Sequence, residues 1–171
     1  ITRGEVVRGF LLLRVGDRCS ELRRAESERI LRAQPFLADV DIDVIGNSRG
    51  GVNLEVRTID EASLILSGAI DNSAPHVRSV RVGSANLSGL GVSTSFSWRH
   101  QPAFHDRLEL RASDYQFAGK PWVLSVASMR DPLGRDDRAE MTLPFRTDVQ
   151  RVAWRAHLSE TRGHAQFVER D

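Results

Sequence analysis

The sequence predicts a small α+β module ordered helix, helix, strand, strand, followed by an antiparallel all-β region of consecutive hairpins. Two observations carry this. Before Asp60 the apolar spacing runs first in threes and fours and then in strict alternation. From Glu61 onward, segments of about ten residues alternate apolar and polar positions, separated by Gly, Pro, Asp and Asn.

Thr2-Arg3-Gly4-Glu5 has the spacing of a capping box, so a short helix is expected to follow it. Val6, Val7, Phe10 and Leu11 form its apolar stripe, and Val15-Gly16-Asp17 supplies a turn. Ser20 stands where it caps a second helix through about Ala33. Its expected buried face is Leu22, Ala25, Ile30 and Leu31, with Arg23, Arg24, Glu28 and Arg29 solvated. Pro35 closes that helix.

Val40, Ile42 and Val44 then alternate with Asp39, Asp41 and Asp43, the period of a strand with one dry and one wet face. The stretch from Gly46 to Gly51 reads as a turn, and Val52, Leu54 and Val56 return opposite Asn53, Glu55 and Arg57 to close a hairpin. The three aspartates invite a calcium or magnesium reading, since hard cations take carboxylate oxygens. They lie along one strand with no loop to wrap an ion, and charges on an edge strand are a defence against unwanted pairing, so no metal is expected.

Beyond Glu61, Leu64, Leu66 and Ile70 alternate with Ser63, Ser67 and Asp71, and Val92, Phe96 and Trp98 with Ser93, Ser95, Ser97 and Arg99. Leu108, Leu110 and Ala112 oppose Arg107, Glu109, Arg111 and Ser113; Trp122, Leu124 and Val126 continue the pattern; Val152, Trp154, Ala156 and Leu158 oppose Arg151, Arg155 and His157. Such strands suit either a soluble sandwich, with the apolar face inside, or a membrane barrel, with that face on lipid. Segments near ten residues match a tilted bilayer crossing better than the shorter strands of soluble sheets. Trp98, Tyr115, Trp122 and Trp154 near segment ends suit interfacial girdles.

Composition narrows the function. The chain is 40% hydrophobic and 27% charged, as folded proteins are, and its 24 Lys and Arg balance 23 Asp and Glu. The general phosphate attraction of nucleic-acid binders therefore has no source, and no nucleic-acid partner is expected. Cys19 has no second cysteine to pair with and reads as a half-buried thiol. There is no apolar run long enough for a membrane helix. The opening Ile1-Thr2-Arg3-Gly4 lacks the features of a secretory signal, as an internal piece of a larger exported protein also would. His100, His105, His157 and His164 with Asp106, Asp114 or Ser95 are the residues of a hydrolase reading. No Gly-x-Ser-x-Gly elbow or His-Glu-x-x-His pair accompanies them, and no enzyme, catalytic residue or cofactor is expected.

Four motifs occur in an order that resembles a POTRA domain of the outer-membrane β-barrel assembly and surface-antigen superfamily. They are Gly16-Asp17, then Ser27-Glu28-Arg29-Ile30-Leu31-Arg32, then Phe36-Leu37-Ala38-Asp39, then Gly51-Val52-Asn53-Leu54-Glu55-Val56. Downstream, Asn86-Leu87-Ser88-Gly89-Leu90-Gly91 resembles an element near the start of barrels in that superfamily, and Asp114 to Gly119 and Leu143-Pro144-Phe145 resemble further early-barrel landmarks. The resemblance implies a POTRA-like periplasmic domain over residues 1–59, truncated before its first strand. It implies the first strands of a partial up-and-down transmembrane barrel over residues 60–171. Six or seven strands are countable, short of a closed bacterial barrel. Arg8-Gly9-Phe10 lies in the first helix and is distinct from the family's late-barrel Arg-Gly-Phe signature.

The implied location is the bacterial outer membrane with the N-terminal module in the periplasm. The implied function is insertion of client barrels or passage of polypeptides by strand addition. Its partners would be unfolded outer-membrane or secreted polypeptides, the lipid bilayer and periplasmic accessory proteins. The expected client-binding edge is Asp39, Val40, Asp41, Ile42, Asp43 and Val44; the expected barrel seam strand runs through Ala62, Leu64, Leu66 and Ile70. The rival is a soluble β-rich binding module with an α+β N-terminal domain.

Overall fold

The computed structural model describes residues 1–46, 51–70, 76–101, 105–148 and 150–163. Helix α1 (Gly4–Phe10) and helix α2 (Glu21–Arg32) precede a two-stranded antiparallel hairpin, β1 (Leu37–Gly46) and β2 (Val52–Asp60). Seven further strands follow: β3 (Leu64–Ile70), β4 (Val77–Ser84), β5 (Val92–Gln101), β6 (His105–Asp114), β7 (Val123–Asp131), β8 (Gly134–Leu143) and β9 (Trp154–Gly163). They form one up-and-down sheet in chain order, each strand antiparallel to the next. Among the described residues β3 and β9 remain its two edges, so the sheet is not closed into a barrel.

The hydrophobic core lies in the N-terminal module, where α1 and α2 bury Val6, Val7, Phe10, Ile30 and Leu31 against Phe36, Leu37, Val40 and Ile42. Several sequence expectations change here. Glu5 and Thr2 form no capping box: Arg3 occupies the N-cap and receives no side-chain cap, because the Thr2 hydroxyl is drawn to Asp60 and Asn86. Ser20 holds the N-cap of α2 without bonding to it.

On α2, Leu22 is 67% exposed and Ala25 is exposed as well, while the unanticipated Ser27 is buried. The Ser27 hydroxyl donates to the Arg23 carbonyl at 2.7 Å and accepts the Leu12 N–H at 2.9 Å, which satisfies it inside the core. Arg24 and Glu28 are half-buried rather than solvated, since they pair with each other beside β1. Cys19 is exposed, not half-buried. Val40 and Ile42 are buried as the alternation requires, but Val44 projects beyond the helices and is exposed.

The large sheet leaves its apolar face uncovered. Phe96 is 43% exposed, while adjacent Ser95 on the other face is 7% exposed. Cross-strand register puts Leu66, Val82, Phe96, Leu110, Val126 and Leu158 on the same face, and all are exposed. Ser67, Arg81, Ser97, Glu109 and Arg138 occupy the other face. No second layer of described residues packs on the apolar side. Strands β4 and β8 escaped the alternation reading. In β8 the charged run Arg135 to Arg138 masks the period, because both faces are polar at that end.

Candidate functional site: a docked module and two strand edges

Three turns at one end of the sheet rest on the α+β module, and each derives from a motif singled out in the sequence. The first is the connection after β4. Here the buried Asn86 side chain donates to the Thr2 hydroxyl at 2.7 Å and accepts the Gly91 N–H at 2.8 Å, while Arg3 N–H donates to the Gly89 carbonyl at 2.9 Å. Gly89 and Gly91 sit at φ +73 and +68, where glycine alone is unstrained. A Cβ on Gly91 would lie 3.1 Å from Val6 Cγ1, so the close approach of turn and helix also needs the bare backbone.

The second is the turn between β6 and β7. The Tyr115 ring stands 5.8 Å from Phe36, and the Gln116 amide donates to the Val6 carbonyl at 2.8 Å. The third is the connection after β8. Arg146 lies 5.0 Å over the Phe10 ring and donates to the Tyr115 carbonyl at 3.3 Å, while its own carbonyl accepts from Arg29. Asp60, the last residue of β2, accepts from both the N–H and the hydroxyl of Thr2. Partial burial acts to raise the Asp60 pKa, but hydrogen bonding, led by the bonds from Thr2, holds the carboxyl below its ordinary range.

The hairpin edge over Asp39 to Val44 carries its own side chains. Arg24 donates to the Ile42 carbonyl at 2.7 Å, Arg32 donates to the Val40 carbonyl at 2.9 Å, and the Asp39 carboxylate accepts the Val40 N–H at 2.8 Å. Glu28 lies between the two guanidiniums at 3.0 and 2.9 Å and fixes both. Backbone groups that an added strand would use are therefore occupied at Val40 and Ile42. Asp41 and Asp43 face solvent and pair with Arg57 across the hairpin.

The seam strand is different. Leu64, Leu66 and Ile70 lie on β3, at an open edge of the large sheet, and are 70%, 71% and 69% exposed. Ala62 precedes β3 and lies outside the strand. Among the described side chains, which exclude those of His105 and His164, the residues of the hydrolase reading do not converge. His100 Nδ1 lies 2.9 Å from Asp106 at the far end of the sheet, His157 is on β9, Asp114 accepts the Gln116 N–H near the module, and His164 is outside the described residues. Among the described residues no group of three or more His, Cys, Asp or Glu is arranged to hold a metal. No described helix is long and apolar enough to cross a membrane, which says nothing of strands.

No protein-family model matches the chain, and no curated protein matches it with significance.

Proposed function

We propose that the chain is a POTRA-like periplasmic module joined to the opening strands of a bacterial outer-membrane barrel, which inserts client β-barrels or passes polypeptides by strand addition. The observation that carries this reading is the uncovered apolar face, with Phe96 and its cross-strand row exposed while Ser95 on the opposite face is buried. In water such an arrangement exposes what the hydrophobic effect buries; against hydrocarbon the same face is at its lowest free energy.

Two details support it. The cross-strand row that begins with Trp98 and Leu108 turns polar as it continues: Arg130, Arg135 and Arg162 stand side by side across β7, β8 and β9, as at the border of a bilayer. At the module end, Lys120 lies 4.4 Å over the Trp122 ring, which stands 5.8 Å from Trp154, a pairing of cation and indole suited to headgroup depth. Strand addition falls on β3, whose edge is open, more readily than on β1, whose edge is guarded by Arg24 and Arg32.

The test is photocrosslinking from position 66 in liposome-reconstituted chain to an unfolded β-barrel client. Crosslinks that decline when β3 carries Gly68→Pro support strand addition at this edge. Absence of any client crosslink from the edge overturns it.

A further inference from the structure

On the polar face of the sheet, a cavity of about 490 Å³ spans β3 to β7. Its wall holds four arginines, Arg81, Arg99, Arg107 and Arg111, against a single carboxylate, Glu109. That carboxylate is already taken by Arg111 and by the Ser97 hydroxyl at 3.5 Å. Arg107 pairs with Asp131 at 3.2 Å, yet its Nε is buried with no hydrogen-bond partner among the described residues. Among the described residues Arg81 has only the neutral Ser95 hydroxyl, at 3.2 Å.

The register makes the excess charge costly. Arg99 of β5 stands directly opposite Arg107 of β6, a like-charge cross-strand pair that destabilises a sheet unless something lies between the two cations. Arg81 sits one strand over, opposite Ser97, two residues along from Arg99. Guanidiniums reaching one opening from three adjacent strands, with serine hydroxyls beside them, present converging forks of the kind that hold a tetrahedral oxyanion.

We propose that this cavity is a binding site for a divalent oxyanion of the phosphate class, a free phosphate or soluble phosphate monoester bridging Arg99 and Arg107 with Arg81 as third donor. A soluble ester fits better than a lipid headgroup, because the cluster lies on the face opposite the apolar residues that would hold acyl chains. The proposal does not depend on what covers that apolar face.

The experiment is calorimetric titration of inorganic phosphate into the full chain at low ionic strength, repeated on Arg99→Gln, Arg107→Gln and the double variant, with circular dichroism to establish that each keeps its sheet. Saturable binding that either single substitution weakens at least tenfold, and that an equal concentration of chloride leaves in place, is the expected result. No saturable binding by the unaltered chain, or undiminished binding by a folded double variant, overturns it. Displacement of phosphate by equimolar chloride overturns it too, by reducing the site to ion screening. Displacement by phosphatidylglycerol vesicles overturns the assignment to a soluble ester.

Discussion

The Thr2 hydroxyl bridges Asp60 and Asn86, at 2.7 Å to each, and so ties the end of the module's hairpin to the connection between β4 and β5 of the large sheet. Thr2 and Asn86 are buried, and each polar atom in this chain depends on the next. Thr2→Val keeps the shape and removes the hydroxyl, leaving Asn86 without an acceptor. It is expected to lower unfolding free energy by about 2 kcal/mol, read from a shifted denaturant midpoint, with Thr2→Ser recovering most of the loss.

Asp60 gives the junction a pH dependence of definite sign. Its folded-state pKa is depressed, so its contribution is fully present above the unfolded value of about 3.9 and is lost as pH falls through the folded value. Asp60→Asn should be less stable than the parent at pH 6, with the difference shrinking steadily as the pH is taken below 4. A difference that grows on acidification would refute the sign.

Gly91 links backbone conformation to docking. Alanine there must adopt φ near +68 and press on Val6, so Gly91→Ala is expected to cost about 1–3 kcal/mol. It should also raise the rate of proteolysis between module and sheet. The same substitution at Gly4, which has open space around it and lies at the start of α1, should change stability by less than about 1 kcal/mol.

Arg24 and Arg32 occupy the free edge of β1. Replacing both by alanine uncovers the carbonyls of Ile42 and Val40, and the double variant is expected to bind an extended hydrophobic peptide at least fivefold more tightly than the parent chain. Adding Ile42→Pro should abolish the gain. Equal affinity of parent and double variant would show that these side chains do not guard the edge.

What the sequence made legible was whatever depends on a short period. The helix stripe of Val6, Val7 and Phe10, the hairpin of β1 and β2, and the alternation along β5 and β6 follow from 3.6-residue and two-residue repeats that need no knowledge of partners. What stayed hidden is settled by contacts far apart in the chain. Thr2 and Glu5 fit a capping box locally, but Asp60 and Asn86 compete for the hydroxyl and win. Leu22 looked buried by spacing, yet Ser27 is the residue turned inward, because it alone satisfies Leu12 N–H. The guard on the β1 edge was illegible because Arg24 read as a solvated helix charge and nothing in the spacing singled out Arg32 until β1 is laid beside them. The motifs around Asn86, Tyr115 and Pro144 were visible as resembling early-barrel landmarks, but their common role as the docking surface for the module appears only once the strands are paired.

The direction in which the apolar face points is tested by spin-label accessibility. With Cys19→Ser as background, single cysteines replace Leu66, Leu110, Ser97 and Glu109 in the chain reconstituted in liposomes, and collision with oxygen is compared with collision with a water-soluble nickel chelate. Labels at Leu66 and Leu110 should favour oxygen, and those at Ser97 and Glu109 the chelate, alternating along each strand. Labels at Leu66 and Leu110 shielded from both reagents would mean that protein, not lipid, covers that face, and would contradict the membrane reading.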